Sequence, residues 1–298
     1  MPHPDILCIG SVLWDIIGRT ESALGDRPDV PGRITRLPGG VALNIAMTLA
    51  RFGLRPAVLT AIGTDAAGIE LMGAVAALGV DPSFALRRAD LPTDTYMAIE
   101  DARGLVAAIA DAASLEAADD AILAPLADGR LGSEAAPWPG LIALDGNLTE
   151  GLLARIAASP LFARADLRLA PASPGKAERL RPLIAHARTT FYVNRQEAGL
   201  LTGTQPATSR EGAEALIAAG AARALVTDGA RDSSDGARGA ETLTLPARHV
   251  AVRRITGAGD TFMAAHLFAE SQGATRPQAL ARAQAAAAAY VAFEDVTP

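Results

Sequence analysis

Short apolar runs alternate with longer amphipathic stretches through most of this chain. The first run, at residues 6–10, ends in glycine and predicts a buried strand. Further strands are predicted at 57–62, 140–144, 167–170, 190–193 and 224–227. Helices are predicted at 68–78, where Gly79 ends the helix, and near 149–157, 175–187, 195–202 and 210–219. Strands and helices in alternation predict a mostly parallel sheet that helices cover on both faces.

Two stretches break this alternation and predict β structure of another kind. Residues 16–38 are polar, contain prolines such as Pro28, and include a β-like piece at 33–37. Residues 93–111 contain two strand-like runs around a turn at 103–104, which predicts a β-hairpin. We expect the two stretches to form a small sheet apart from the main one.

The last part of the chain is predicted to close with two helices, near 260–271 and 276–293. Before them, residues 243–245 and 249–252 are interpreted as a late hairpin, and the polar residues 232–239 as a mobile surface loop. The sequence shows neither an internal repeat nor a flexible interdomain linker. It therefore predicts one domain with, at most, a small appendage.

Composition narrows the class of protein. The 298 residues are 50% hydrophobic and 20% charged, which is ample for a large core. The net charge of −6, without a basic block, argues against nucleic acid as a partner. Cys8 is the single cysteine, so no internal disulfide and no cysteine-based zinc site is expected, and the four histidines lack ligand spacing. Neither a signal peptide nor a membrane-spanning run is found, so a soluble cytoplasmic protein is expected.

A glycine-rich turn at residues 256–260, Thr-Gly-Ala-Gly-Asp, stands immediately before an apolar helical run. A helix that begins at Gly259 or Asp260 would point unpaired N–H groups and its positive end at an anion such as phosphate. Asp260 at the mouth of this turn could accept a proton from a nucleophile during phosphoryl transfer. The alternative is an ordinary strand-to-helix turn in which Asp260 is only an N-cap.

Polar residues near the start of the chain are candidates for ligand binding. Asp15 lies just beyond the first strand, at the edge where parallel sheets bind ligands, although it could equally be a turn acid. Gly39 and Gly40 precede a predicted helix that Gly53 ends, and this diglycine would let a ligand approach the backbone closely. Asn44, one turn into that helix, could hydrogen-bond a hydroxyl.

In their order and spacing, these signals and the stretch 194–197 (Asn-Arg-Gln-Glu) resemble the ribokinase-like (PfkB) family of sugar and nucleoside kinases. The resemblance extends over essentially the whole chain. It implies a single ribokinase-like, three-layer α/β/α domain over residues 1–298, with a mostly parallel central sheet. It also implies a small β-sheet lid formed by about 12–38 and 93–112.

The resemblance implies a role for each matched residue. Asp260 would be the catalytic base, and the backbone amides of Gly257, Ala258 and Gly259 would form the anion hole for the phosphoryl group. The substrate-binding positions are Asp15, Gly39, Gly40 and Asn44. The positions for the cofactor ATP are Asn194, Thr227, Gly229 and Thr256. Glu197 would help to place Mg²⁺ through water. Taken alone, Asn194 and Glu197 could instead be a strand-end asparagine and an ordinary helix acid.

Two residues depart from the family pattern. Arg254 stands six positions before Asp260, where the family often has an acid that is associated with a monovalent-cation site. This argues against a K⁺ requirement, although a backbone carbonyl could still serve such an ion. Asp228 stands where a small or apolar residue is commoner, and it would add negative charge near the nucleotide phosphates.

Four shorter stretches resemble the pseudouridine kinases of this family. They are the hairpin at 96–111, the Asp-Gly-Asn-Leu stretch at 145–148, residues 171–177 and the ending at 294–298. The resemblance implies ATP-dependent phosphorylation of the ribose 5′-hydroxyl of pseudouridine and a homodimer that pairs through the lid. The alternatives are a kinase for another nucleoside or a sugar (ribose, fructose, adenosine) and a non-catalytic nucleotide or sugar sensor. A dinucleotide-dependent dehydrogenase is disfavoured, because no Gly-x-Gly-x-x-Gly follows the first strand.

Overall fold

The structure of the protein is a computed structural model that describes residues 3–24 and 29–297. Its main sheet has eight strands. In chain order the strands of the protein are β1 (Ile6–Ile9), β2 (Leu13–Arg19), β3 (Arg33–Gly39), β4 (Pro56–Leu59), β5 (Ala61–Gly63), β6 (Leu86–Arg88), β7 (Thr95–Asp101), β8 (Gly104–Asp111), β9 (Leu141–Asp145), β10 (Asp166–Ala170), β11 (Thr189–Asn194), β12 (Arg223–Thr227), β13 (Ser233–Ala237) and β14 (Leu243–Leu245). The main sheet has the order β14-β13-β12-β11-β10-β9-β1-β4. Its strands pair in parallel except for β13 and β14, which pair antiparallel at one edge.

Helices cover both faces of the main sheet. They are α1 (Val41–Arg51), α2 (Ala66–Ala77), α3 (Ala113–Ala118), α4 (Ala124–Ala127), α5 (Glu150–Ala158), α6 (Arg195–Thr202), α7 (Ser209–Ala218), α8 (Ala258–Ser271) and α9 (Arg276–Ala292). Side chains of strand β1 alternate between the two faces of the sheet. Leu7 and Ile9 lie in the core formed with α5, α6 and α7. Ile6 and Cys8 lie in the core formed with α1, α2, α8 and α9. The predicted three-layer α/β/α fold is therefore confirmed. Among the described residues, no helix combines the length and the apolar character that crossing a bilayer requires.

A separate four-stranded sheet, the small sheet, stands beside the main one in the order β3-β2-β7-β8. Its strands lie in the two stretches that break the α/β alternation, and β7 and β8 form the predicted hairpin. Pro28 and Pro298 lie outside the described residues. The register places Asp15 and Tyr96 on one face of the small sheet and Ile34, Met97 and Ile109 on the other.

Two predictions for residues 232–252 are wrong. Residues 232–239 are not a mobile surface loop, because they contain the buried strand β13. Two of its buried polar side chains have partners: Ser234 hydrogen-bonds other hydroxyls, and Asp235 pairs with Arg223 and Arg276. The hairpin of 243–245 with 249–252 is also absent, because β14 pairs with β13 and residues 249–252 form no strand.

The predicted helix near 175–187 is a run of 3₁₀ turns at Pro174–Leu183. Pro182 lies inside this run and has no N–H to donate, so a regular α-helical hydrogen-bond ladder cannot form there. The strand predicted at 57–62 is divided into β4 and β5, which belong to different sheets. Other boundaries differ from the predicted ones by a residue or two.

Helix α8 is held against the sheet by ionic contacts near its carboxyl end. Glu270 accepts hydrogen bonds from Arg168 and Arg223, which project from β10 and β12. His266 is fully buried beside them and hydrogen-bonds the hydroxyl of Tyr192 at 2.8 Å. Burial lowers the pKa of His266 to about 3, so this histidine is neutral and structural. These contacts hold the carboxyl end of α8, and the glycine-rich turn lies at its opposite end.

Candidate active site

The glycine-rich turn opens helix α8 with backbone amides that point outward. Gly257 is the N-cap with φ of 90°, a left-handed conformation that favours glycine, and the helix begins at Ala258. The amide of Ala258 donates to the carbonyl of Ile255 at 3.1 Å, so it is not available to an anion in this conformation. Within the described residues, the amides of Gly257, Gly259 and Asp260 have no partner. Of the three amides predicted to form the anion hole, those of Gly257 and Gly259 are therefore unpaired and that of Ala258 is not.

The turn is braced from helix α9 by Tyr290. Its hydroxyl donates to the carbonyl of Thr256 at 2.9 Å, and a Cβ on Gly257 would lie 2.4 Å from the same oxygen. Arg254 in turn fixes this tyrosine: its Nε donates to the Tyr290 carbonyl at 2.7 Å, and its guanidinium lies 3.5 Å from the ring centroid. The guanidinium also lies over Phe293 at 4.4 Å. The structure therefore uses Arg254 to lock the carboxyl end of α9 against the turn.

Asp260 meets Asn44 across the molecule. The Nδ2 of Asn44, in the first turn of α1, donates to the Oδ2 of Asp260 at 2.8 Å. Burial raises the pKa of Asp260 to about 7; the Asn44 hydrogen bond opposes this shift, and the nearby carboxylates of Asp145, Glu197 and Asp15 reinforce it. A carboxylate with a pKa near neutrality can accept a proton and release it again. The structure thus joins two predicted site residues that are 216 positions apart.

Asp15 lies on the face of the small sheet that carries Tyr96. A Cβ on Gly39 would lie 2.0 Å from the Oδ2 of Asp15, so only glycine leaves room for this carboxylate. Burial raises the pKa of Asp15 to about 6. Gly40 is the N-cap of α1. The predicted acceptor residues therefore form one surface at the junction of the two sheets.

A buried polar network supports this surface, and the sequence reasoning did not assign it to the site. Asp145, at the end of β9, accepts from the Ser11 amide at 2.7 Å, the Ser11 hydroxyl at 2.8 Å, the Ala42 amide at 3.1 Å and the Asn147 amide at 2.6 Å. Lys176 Nζ donates to Asn147 Oδ1 at 2.6 Å. The signal for this network in the sequence is the Asp-Gly-Asn-Leu stretch at 145–148, because it contains both Asp145 and Asn147. From the sequence this stretch indicates only a resemblance to pseudouridine kinases.

A cavity of about 340 Å³ lies on the other side of the glycine-rich turn. It is lined by four of the predicted residues, Thr227, Gly229, Ala258 and Gly259. Much of the remaining wall is apolar and comes from the segment before α8 and from the two last helices, including Val252, Ile255, Phe262, Ala287 and Val291. An apolar slot beside unpaired amides suits a molecule with a flat ring and an anionic tail.

Asn194 and Glu197 form a capping box at the start of α6. The Asn194 side chain accepts from the Glu197 amide at 2.9 Å, and Glu197 Oε2 accepts from the Asn194 amide at 2.7 Å. Burial raises the pKa of Glu197 to about 7. Its second oxygen, Oε1, makes no hydrogen bond within the part of the chain that the structure describes. Neither residue lines the cavity, and Thr256 is also absent from its wall.

The charge of Asp228, which the sequence left unexplained, is offset by two arginines. Its carboxylate pairs with Arg195 at 3.0 Å and with Arg231 at 3.3 Å. Asp228 and Arg231 also line the cavity, so this ion pair forms part of its wall. Across residues 3–24 and 29–297, no three His, Cys, Asp or Glu side chains form a cluster that could hold a metal ion without help from a ligand.

The parallel sheet, the small sheet beside it and a carboxylate at an amide-lined turn define a sugar or nucleoside kinase of ribokinase-like fold. A model of the pfkB family carbohydrate kinases matches residues 3–296, and the chain belongs to this family. It is therefore a phosphotransferase with an alcohol group as acceptor.

Three relatives show how the similarity is distributed. Pseudouridine kinase of Escherichia coli (strain K12) is 32% identical over 99 residues, which cover 33% of this chain and 32% of that protein. Fructoselysine 6-kinase of the same organism is 26% identical over 284 residues, 92% of this chain and 98% of that one. A carbohydrate kinase from Agrobacterium tumefaciens superposes with a TM-score of 0.79 at 29% identity, covering 99% and 93% of the two chains. The chain thus spans about a third of the pseudouridine kinase that it matches.

Proposed function

We propose that the protein transfers the γ-phosphoryl group of ATP to the 5′-hydroxyl of pseudouridine, giving pseudouridine 5′-phosphate and ADP. One observation carries the choice of substrate. Two stretches that separately resemble pseudouridine kinases, 145–148 and 171–177, meet in the hydrogen bond between Lys176 and Asn147. This bond lies directly beneath the diglycine turn, through Ser11. The resemblance therefore concerns one connected wall of the acceptor site and not scattered positions.

The catalytic role proposed for Asp260 follows from its surroundings. Asn44 holds the carboxylate in one orientation, so that it can accept the proton of the acceptor hydroxyl as that oxygen attacks phosphorus. The unpaired amides of Gly257 and Gly259 would stabilise the charge that develops on the transferring group. Asp15 would hold a hydroxyl of the acceptor sugar, and the small sheet would close over it as a lid and exclude water.

ATP is proposed to bind in the 340 Å³ cavity, with Thr227 and Gly229 beside its phosphates. Asn194 and Glu197 would help to hold Mg²⁺ through water, and the unengaged Oε1 of Glu197 fits that role. The ion supplies neutralisation of phosphate charge when it is bound. No monovalent cation is proposed, because the Arg254 guanidinium already brings a positive charge to the backbone carbonyl of Tyr290.

A second copy of the chain is proposed to cover the outer face of the small sheet. Ile34 and Ile109 on that face are 77% and 71% exposed, and Met97 and Ile99 are exposed beside them. Every residue of the edge strand β8 is exposed as well. In a monomer, an exposed apolar sheet face with an unpaired edge strand promotes aggregation. In a dimer, the same face and edge can be buried in the interface.

A sugar acceptor is the second candidate. The observation that favours it is the match to fructoselysine 6-kinase, which extends over 92% of this chain although the identity is only 26%. Ribose, fructose and adenosine remain candidates on the same fold.

ADP release with ATP and Mg²⁺ tests the proposal, with pseudouridine, uridine, adenosine, ribose, fructose and fructoselysine compared in parallel. We expect the highest kcat/KM for pseudouridine, and equal rates when K⁺ is replaced by tetramethylammonium. A higher kcat/KM for a free or conjugated sugar would overturn the substrate and leave the kinase assignment in place.

A further inference from the structure

Lys176 is the single lysine among the 27 lysine and arginine residues of this sequence. Every other basic side chain is a guanidinium, including those at exposed positions where either residue would serve. An ammonium differs from a guanidinium in being a compact point charge with three rotatable donors, whereas arginine presents a planar fork. Position 176 is therefore the one place in the sequence with a compact ammonium side chain.

The place of Lys176 in the fold points to the acceptor side of the site. The residue lies near the start of the 3₁₀ segment Pro174–Leu183 that follows β10, and it is partly buried. Burial lowers its pKa, as does Arg179, while Asp145, Glu116 and Asp94 act in the opposite direction. Asp94 stands at the base of the hairpin β7–β8, where it caps α3. The ammonium is therefore between the carboxyl end of β9 and the base of the small sheet.

The hydrogen bonds of the network leave Lys176 with donors to spare. Asn147 Oδ1 accepts from the lysine, and Asn147 Nδ2 donates to the Ser11 hydroxyl at 2.9 Å. Ser11 in turn accepts from the Val41 amide at 2.9 Å. The asparagine is thus held at both ends of its amide, and within the described residues it takes only one of the three N–H donors of the ammonium.

We propose that Lys176 reads the acceptor by donating a hydrogen bond to a neutral oxygen on the part of the substrate that is not phosphorylated. The nearby carboxylates of Asp145 and Asp94 already balance the local positive charge, so a neutral carbonyl or hydroxyl oxygen suits the site better than an anion. For a pyrimidine C-nucleoside this oxygen is a ring carbonyl. The inference rests on the proposed function for the acceptor's position and extends it to a specificity-determining residue.

Two substitutions test the role by kinetics. Lys176→Met keeps the aliphatic stem and removes the charge. Lys176→Arg keeps the positive charge but places it on a guanidinium group. We expect the acceptor KM to rise about 10- to 100-fold in Lys176→Met, the range for a hydrogen bond to a charged group, with the KM for ATP and kcat within about twofold. Lys176→Arg is expected to recover less than half of the lost affinity. An unchanged acceptor KM in Lys176→Met would overturn the proposal.

Arg179→Met is the matched control. Arg179 lies in the same 3₁₀ segment and pairs with Glu116. Its other hydrogen bonds go to the backbone carbonyls of residues 147 and 148, whereas Lys176 bonds the Asn147 side chain. Its loss is expected to lower Tm without changing the acceptor KM. If both variants raised KM equally, a general loosening of this segment would explain the result and the proposal would fail.

A second readout does not depend on turnover. Because the chain has one lysine, growth on ¹³C,¹⁵N-labelled lysine gives one side-chain Nζ–Cε NMR signal and leaves all three N–H donors of the ammonium in place. We expect the wild-type signal to shift on addition of the acceptor that the enzyme phosphorylates best, and not on addition of ADP alone. The acceptor is chosen by the activity panel, so an error in the proposed substrate changes which compound is added. A signal insensitive to that compound would contradict the role of Lys176 while leaving the kinase assignment intact.

Discussion

At the scale of single residues, the chemistry depends on how the environment sets the protonation of Asp260. The carboxylate is surrounded by protein and by three other acids, and its pKa of about 7 places it near the pH at which a base is most effective. Asn44 supplies the hydrogen bond that keeps it oriented. Burial and like charges thus make an ordinary aspartate suitable for proton transfer.

Asp260→Asn is expected to lower kcat by about 100-fold or more, because a positioned base is lost while the amides of the turn remain. ATP binding, measured by calorimetry, should be unchanged within about twofold. The folded-state pKa lies above the ordinary value of 3.8, so the stability linked to this group is present at low pH and is lost as pH rises through about 7. The variant should therefore melt about 2 °C or more above the wild type at pH 8, and not at pH 4. Near-normal turnover would remove Asp260 from the role of base.

The same pKa predicts the shape of the pH–rate profile. Only deprotonated Asp260 accepts a proton, so kcat should fall about tenfold per pH unit below a midpoint near pH 7. Asp15 has a pKa of about 6, which makes it the competing explanation for an acid limb. Asp15→Asn distinguishes the two. If Asp260 is the base, the variant should raise the acceptor KM and keep the acid limb, with its midpoint moved only slightly downward because one of the charges that raise the pKa of Asp260 is gone. Loss of the acid limb in Asp15→Asn would assign that limb to Asp15 instead.

At the scale of elements, the geometry of the glycine-rich turn depends on a neighbouring helix. Tyr290 and Arg254 connect the end of α9 to the start of α8, and the tyrosine hydroxyl occupies the space that a side chain at Gly257 would need. The turn is thereby held open with unpaired amides outward. Glycine is therefore required at position 257 because a side chain there would collide with the Tyr290 hydroxyl. The sequence motif alone does not supply this reason.

Tyr290→Phe tests this brace. Removing one hydrogen bond, worth about 1 kcal/mol, should lower kcat about fivefold with the acceptor KM unchanged, because the turn acts on the transferring group. Tyr192→Phe is the control: its hydroxyl is bonded to Arg168 and His266 near the other end of α8. The Tm of that variant should be lower than that of the wild type, and its kcat should be unchanged. Equal kcat losses in the two variants would show that α8 responds only to global loosening.

The outer face of the small sheet predicts the oligomeric state. Charge at two exposed positions, in the double variant Ile34→Asp with Ile109→Asp, should weaken a dimer at least about 100-fold, because two carboxylates would be buried at the interface. Light scattering after size-exclusion chromatography measures the mass. Ile69→Asp is the comparison variant, because Ile69 is 64% exposed on helix α2 and does not belong to a strand of the small sheet. A wild-type chain that is monomeric at high concentration would contradict the proposed dimer.

At the scale of the whole molecule, the order of strands explains why distant residues meet. Strands β9, β1 and β4 are neighbours in the sheet, as are β11 and β12, so loops far apart in sequence share one edge. Ser11 follows β1 by two residues and Asp145 ends the adjacent strand β9, while Asn194 and Thr227 end another adjacent pair, β11 and β12. The proposed sites for the acceptor and the nucleotide therefore lie at separate places along the carboxyl edge of a single sheet.

Apolar strands between amphipathic helices predicted the layers, because that pattern has few other ways to bury its surface. Strand β13 escaped prediction because its Ser-Ser-Asp-Gly-Ala sequence is polar and its burial depends on Arg223 and Arg276 from elsewhere in the chain. The motif at 256–260 located the turn. The contacts between Asn44 and Asp260 and between Lys176 and Asn147 depend on tertiary packing, which local pattern in one sequence does not encode.

The most direct test of the central claim is a competition of pseudouridine and uridine for ATP in one vessel, with the products identified by ³¹P NMR and mass spectrometry. We expect pseudouridine 5′-phosphate to accumulate at the same rate as ADP, with uridine left largely unchanged. With Asp260→Asn this product should accumulate at least about 100-fold more slowly. Equal consumption of both nucleosides, or phosphate on another hydroxyl, would contradict the proposed reaction.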